Sequence, residues 1–191
     1  MEKIAIPIEV SARHCHLSAN NLTDLFGKGY MLTQIKKLSQ SGQFAAEETV
    51  TIKNNGNEIK NVRILGPIRS QTQVELSATD IRKLHLDAPI RVSGNLAGSA
   101  SITITGPIGS VTIPEGAIVA ARHLHCDPKS ARLLKIQDRQ TISLKTDGPR
   151  AVTFHNVIVR IDPSFSLSFH LDTDEGNASF GPTKMTEAYI S

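Results

Sequence analysis

Apolar residues in this chain recur mostly at every second position, the spacing of a strand with one buried face. Ile4, Ile6, Ile8 and Val10 alternate in this way, and Pro7 among them suggests an edge position or a bulge. Residues 49–53 and 59–65 flank Asn54-Asn55-Gly56-Asn57. That is a hairpin signal, because Asn-Gly supplies the positive-φ residues of a tight turn. Residues 72–76, 101–105, 110–113 and 117–121 read as further strands, the middle two around Gly106-Pro107. Residues 141–145 and 152–161 form a second hairpin across Thr146-Asp147-Gly148-Pro149, and 166–171 is the last strand.

Helical spacing is confined to short stretches. Ser18 can cap a helix carrying Leu22, Leu25 and Phe26 that ends at Gly27 and Gly29. Ser77 can cap a turn or two over 79–84, and Asp127 with Pro128 opens a helix carrying Leu133, Leu134 and Ile136, an acidic N-cap followed by Pro at the first helical position. Residues 94–98 read as loop and the tail from Gly176 as irregular. Many short strands between Gly, Pro and Asn turns predict a mainly β fold of small barrels or sandwiches with a few short helices.

The pattern occurs twice. Ser-Ala-Arg-His-Cys-His-Leu at 11–17 is matched 109 positions later by Ala-Ala-Arg-His-Leu-His-Cys at 120–126, so four of the seven histidines lie in two His-x-His elements. Asn61-Val62-Arg63-Ile64 resembles Asn156-Val157-Ile158-Val159, and the same offset sets Glu75 against His170. Two fused copies of one β-domain fit these lengths better than a solenoid, whose repeats are shorter and more numerous. Clefts between domains are a preferred place for ligands.

Composition narrows the picture. There is no Trp, and only six Phe and two Tyr in 191 residues, so the core is Ile, Val and Leu, which suits strands. A net charge of +3 without a Lys/Arg run gives no basic arm for nucleic acid. The two cysteines form no CxxC pair, which argues against a secreted disulfide framework. The chain enters its first strand at once, without a signal-peptide pattern. No apolar stretch approaches the roughly 20 residues of a membrane span. The expectation is a soluble cytoplasmic protein.

Imidazole is the commonest transition-metal ligand. Residues i and i+2 of a strand share a face, so His14 with His16, and His123 with His125, can each chelate one ion. Glu75 and His170 stand as third donors through their mutual alignment. Zinc is the default for imidazole with carboxylate, with Fe, Co, Ni or Cu as alternatives. Cys15 and Cys126 should point away from the ligands, and His85 and His155 read as surface or packing residues. Arg69, where the second half has Ser164, could hold a phosphate through its planar fork. Arg13 and Arg122 could support the histidines or face phosphate.

These segments, with Gly-Gln-Phe-Ala-Ala-Glu-Glu-Thr-Val at 42–50, Gly-Pro-Ile-Arg-Ser-Gln-Thr-Gln-Val-Glu at 66–75 and His-Leu-Asp-Thr-Asp-Glu-Gly-Asn-Ala at 170–178, resemble the PduL-type phosphate propanoyltransferases, a phosphotransacylase family. The resemblance runs from Ile6 to about Ser179. It implies two β-barrels, one over 13–116 and one over 1–12 plus 117–191, the first strand crossing over to complete the second. It implies a dinuclear zinc site between them, with His14, His16, Glu75, His123, His125 and His170 as ligands, and Arg69 as the catalytic, phosphate-binding residue. Ala12 and Cys15 stand where the family more often has Asn and Val. The implied reaction is acyl-CoA plus phosphate giving acyl phosphate plus coenzyme A, with an acetyl or propanoyl group and direct attack by phosphate. No encapsulation peptide is seen at the N-terminus, as in the free cytoplasmic members, and the family makes a homodimer the candidate assembly. No nucleic-acid or membrane partner is expected. The competing classes are a metal-dependent thioester or phosphoester hydrolase and a non-catalytic metal-binding module.

Overall fold

Fourteen strands and four short helices make up the computed structural model, which describes residues 4–180 and 187–191. Strand β1 is Ile6–Ser11, β2 His14–His16, β3 Gln34–Lys37, β4 Phe44–Asn54, β5 Asn57–Gly66, β6 Gln73–Leu76 and β7 Ile90–Arg91. They are followed by β8 Ala100–Thr105, β9 Ser110–Ala120, β10 His123–Cys126, β11 Thr141–Thr146, β12 Thr153–Ile161, β13 Ser168–Asp172 and β14 Glu187–Ile190. The helices are α1 Ala19–Phe26, α2 Ala78–Leu84, α3 Pro128–Leu134 and α4 Thr173–Phe180.

The chain divides into two compact units. One is Ala12–Ala120; the other runs from Ala121 onward and includes the stretch up to Ser11. In the first, β4-β5-β2-β6-β9 closes through β8, which pairs with both β9 and β4. In the second, β11-β12-β10-β13-β1-β14 closes in the same way. Corresponding pairs share their sense: β2–β5 and β10–β12 are parallel, β2–β6 and β10–β13 antiparallel, β6–β9 and β13–β1 parallel. The fold is therefore mainly β, two six-stranded barrels related by duplication, with β3 and β7 added at the margins of the first.

Each barrel fills with its own aliphatic core. Val50, Ile52, Ile59, Val62, Ile64, Val74, Ile102 and Ile104 meet in the first, and Ile6, Leu124, Leu144, Val157, Val159, Phe169 and Leu171 in the second. Alternation along β5 breaks between Ile59 and Val62, and along β12 between Phe154 and Val157. Asn61 and Asn156 stand at those breaks with φ near 57° and 59°. Asn tolerates this left-handed conformation, and an extra residue there resets which face points inward. This is the physical content of the repeated Asn-Val pair. The Asn55-Gly56 turn of the β4–β5 hairpin has φ of 46° and 80°, as a primed two-residue turn requires.

The helices begin where local chemistry sets them. Ser18 accepts from the Asn21 amide, and Asp127 from those of Lys129 and Ser130. Leu22 and Leu25 of α1 are buried, each contributing about 1.5–3 kcal/mol of apolar burial.

Several elements depart from the sequence reading. β1 is not an edge strand: β13 pairs with it from Ile8 to Ser11, and β14 at Ile6 and Pro7. Pro7 is accommodated because it lies just before the β13 ladder begins. The tail from Gly176 is regular where it is described, α4 running to Phe180 and β14 closing the barrel; residues 181–186 lie outside the described part. α4 opens on reciprocal bonds, Glu175 amide to Asp172 Oδ1 (2.8 Å) and Asp172 amide to Glu175 Oε2 (3.1 Å), the pattern of a capping box. Gly176 belongs there because a Cβ would stand 2.8 Å from Val10 Cγ2. β9 is one strand through Pro114, not two, and β3, β7 and the start of β4 carry too little alternation to be read beforehand. Among the described residues, no helix is long and apolar enough to cross a membrane.

Candidate metal centres

Each His-x-His element is a short strand held on both sides. β2 lies between β5 and β6, and β10 between β12 and β13. Cys15 and Leu124, the middle residues, point into the two cores and are fully buried, so the flanking histidines share the opposite face. The antiparallel neighbour supplies the third donor at the same register in both units. His14 faces Glu75, and His123 faces His170. All six side chains are buried. In each triad one ligand atom per residue lies within 4.8 Å of the others, and each triad could hold a metal ion.

Backbone carbonyls set the imidazole orientation. His14 Nδ1 donates to Ala12 O (2.8 Å), His16 Nδ1 to Leu65 O (3.0 Å) and His123 Nδ1 to Ala121 O (2.9 Å). A carbonyl only accepts, so Nδ1 carries a proton in each of the three and Nε2 is the nitrogen left facing the triad. Fixing the tautomer in this way is the usual support behind a ligating imidazole.

The first triad has a strong field. Burial works to lower the proton affinity of His14, but the charge of Glu75 and a hydrogen bond to it, with the Ala12 carbonyl, outweigh burial and raise it. His14 Nε2 lies 3.6 Å from Glu75 Oε2. Burial, joined by the fields of His14 and Arg69, lowers His16 to about 3. Burial alone would raise Glu75; the charges of His14 and His16 and hydrogen bonds from His14 and Ser93 instead hold it ionised, well below the usual carboxylate range. The pocket thus presents an anionic oxygen and a neutral imidazole together. That donor set fits a divalent cation of borderline softness.

Polar support extends outward. Ser93 Oγ donates to Glu75 Oε1 (2.7 Å), and Gln73 donates to the same oxygen. The Gly94 amide donates to Gln73 Oε1 (2.8 Å). Arg69 reaches Ser93 Oγ at 3.4 Å, and its amide donates to Leu17 O (2.9 Å), beside His16. The second triad is furnished differently. His125 packs on Phe165 with ring centroids 4.1 Å apart, and the His123 and His170 rings stack at 4.9 Å. Ser168 Oγ and His170 Nε2 share a hydrogen bond of 2.8 Å, and Glu9 Oε2 stands 3.9 Å from the same nitrogen. Sequence reasoning did not single out Ser93, Gln73, Ser168 or Glu9. Gln73 and Ser168 were findable, since they occupy the same aligned position opposite the second histidine of each pair. Ser93 had no counterpart to flag it.

The remaining candidates fall as follows. Cys15 and Cys126 are buried away from the ligands. Burial pushes the Cys15 thiol up to about 12, and burial with the nearby Asp127 charge pushes Cys126 to about 11. His85 is an exposed, left-handed cap at the end of α2, and His155 is exposed and bonded to Ser143 Oγ. Arg13 and Arg122 make ion pairs, to Asp80 and Glu175.

Two buried donor triads on a duplicated barrel define a protein with two places that could hold a metal ion. Comparison with known proteins is specific. The family model for phosphate propanoyltransferase matches residues 7–181. The phosphate propanoyltransferase of Lachnoclostridium phytofermentans is 51% identical over 176 residues, covering 92% of this chain and 82% of that protein. That of Thermotoga maritima is 46% identical (91% and 83% covered), and that of Salmonella typhimurium 44% (94% and 85%). The chain belongs to the phosphate propanoyltransferase family, and is accordingly an enzyme that transfers acyl groups.

Proposed function

We propose that the protein moves a short acyl group, acetyl or propanoyl, between coenzyme A and inorganic phosphate, with acyl-CoA and phosphate giving acyl phosphate and free coenzyme A. His14, His16 and Glu75 hold one zinc ion, and His123, His125 and His170 a second. The observation that carries this reading is the repeated triad: two buried histidines plus a third donor at the same strand register in both units. Zinc bound there would supply a Lewis acid for the thioester oxygen and a soft partner for the leaving thiolate.

The chain's own groups do the rest. Arg69 holds two phosphate oxygens through its guanidinium fork; its field already reaches His14 and His16, which supports a place beside the first triad. Glu75 stays ionised and fixed by Ser93 and Gln73. Neither cysteine suits a covalent route, since both thiols are buried and held protonated, and the thiolate is the nucleophilic form. Phosphate therefore attacks the thioester carbon directly, the C–S bond breaks, and coenzyme A leaves as thiolate. Soluble substrates of this kind suit a cytoplasmic setting.

The test is thiol release from acetyl-CoA and propanoyl-CoA by protein of known zinc content, with and without phosphate. Release only with phosphate, abolished by chelation and restored by zinc, is expected. Release without phosphate would replace this reading with a hydrolase. Arg69→Ala should raise the KM for phosphate at least tenfold, the scale of about 1.4 kcal/mol for a lost charge-assisted contact, while zinc content stays at the wild-type level.

A further inference from the structure

Arg13 and Arg122 each stand one residue before the first histidine of a triad, and each reaches an acid, Asp80 buried and Glu175 half-buried. Arg13 Nε donates to Asp80 Oδ1 at 2.8 Å, and Arg122 Nε to Glu175 Oε1 at 2.7 Å. The acids occupy equivalent places. Asp80 lies in the first turn of α2, which follows β6 and Glu75; Glu175 lies in the first turn of α4, which follows β13 and His170.

The two carboxylates divide their oxygens in the same way. One oxygen takes the arginine. The other takes the backbone amide that opens the helix: Ser77 N to Asp80 Oδ2 at 3.2 Å, and Asp172 N to Glu175 Oε2 at 3.1 Å. Ser77 and Asp172 return the bond, accepting from the amides of Asp80 (3.3 Å) and Glu175 (2.8 Å). Each lies two residues past the third donor. A closed circuit therefore runs from the first histidine through its arginine, the acid and the helix cap to the third donor. It pins from behind the same pair that faces across the strands, His14 with Glu75 and His123 with His170.

We propose that Arg13 and Arg122 are positioning residues for the two metal centres, each locking the register between its first histidine and its third donor. The proposal rests on the zinc reading above. Three observations carry it beyond an ordinary surface ion pair. The acid is withdrawn from solvent, with the Asp80 side chain 4% and that of Glu175 18% exposed. The device recurs in both units although its parts differ, Asp for Glu and Ser for Asp. Finally, β2 has only three residues and β10 four, so each ladder offers few bonds of its own to hold a ligand in place. Arg122 is further seated over the Phe154 ring at 5.3 Å and donates to the His155 carbonyl.

The test is zinc affinity measured by competition with a chromophoric chelator on the full chain. It is run in two backgrounds, His123→Ala/His125→Ala to leave only the first triad and His14→Ala/His16→Ala to leave only the second. Arg13→Gln should weaken zinc at the first triad by about 10- to 100-fold, the usual scale for residues that orient ligands, and leave the second unchanged. Arg122→Gln should do the reverse. Arg13→Lys and Arg122→Lys should recover part of the loss, because an ammonium can still meet the acid. Asp80→Asn keeps an acceptor for the Ser77 amide and serves as the alternative variant should Arg13→Gln fold poorly. Zinc affinities equal to those of the parent backgrounds, with only the melting temperature lowered, would make the pairs structural and overturn the proposal while leaving the zinc reading intact. Failure of the unmutated chain to take up zinc would overturn the zinc reading and the proposal with it.

Discussion

Phe169 offers a test of how the fold supports the second triad. It sits between Ser168 and His170 on β13, and strand alternation sends those two to the triad face while Phe169 enters the core. There it is fully buried among Ile6, Leu124, Val159 and Leu171, opposite Leu124 in the ladder. Its ring meets Phe154 edge to face at 5.7 Å. Phe169→Ala removes a ring that a closed barrel cannot refill, which costs about 3–5 kcal/mol. Losing the ring pair adds about 0.5–1.5 kcal/mol. Against a typical total of about 5–15 kcal/mol for a native protein, that is a large share. For a chain of this length each kcal/mol moves the melting temperature by about 2–4 °C, so a fall of roughly 8–25 °C is expected. Phe169→Leu keeps most of the volume and should cost about 1.5 kcal/mol or less beyond the lost ring pair. The assay is urea unfolding followed by far-ultraviolet circular dichroism, with thermal melts on the same samples. A Phe169→Ala loss below about 1.5 kcal/mol, or a Leu variant as damaged as the Ala variant, would refute the packing argument.

Two further outcomes follow from the same structure. Gly66 faces Phe44 across β4 and β5, and a Cβ there would lie within the Phe44 ring; Gly66→Ala should destabilise by about 1–3 kcal/mol, and adding Phe44→Ala should recover part of that loss in a double-mutant cycle, additivity being the refuting result. Cys15 should resist iodoacetamide at pH 8 in the folded protein, because burial holds its thiol near 12, and Cys15→Ala should retain most thiol-releasing activity; loss of turnover with zinc still bound would point to an acyl-cysteine route.

Much of the fold was legible because it occurs twice. A lone His-x-His, or a lone Glu on a strand, says little. Repetition in the same Arg-His-x-His context, with Glu75 against His170 at a shared offset, picked out the residues the structure gathers into triads. Asn61 and Asn156 were legible as a repeated residue but not as a bulge, since nothing local announces a positive φ without Gly. The Asp172 and Glu175 pair has the spacing of a capping box, but the Gly, Asn and Ser that follow it read as loop. Gly176 is instead a contact residue, placed where Val10 leaves no space for a side chain.

What stayed illegible lies where the halves differ. The histidine pairs are offset by 109 positions and the later strands by 95, so the first half carries 109 − 95 = 14 extra residues between them, and β3 lies in that stretch. A second excess follows α2. Residues 85–99 separate it from β8, whereas residues 181–186 separate α4 from β14. That longer segment brings β7 and Ser93, and Ser93 donates to Glu75 and accepts from Arg69. Glu75 and Arg69 are themselves points of divergence, standing where the second half has His170 and Ser164. The asymmetric residues are therefore connected to one another rather than scattered. The unit with a carboxylate in its triad also has the hydroxyl that steadies it and the arginine beside it, while the other has three imidazoles with Phe165 packed on His125. Duplication sets two similar donor triads at the same strand register. Divergence between the halves leaves one triad in polar surroundings and the other in partly aromatic ones, so the two donor sets are chemically unlike.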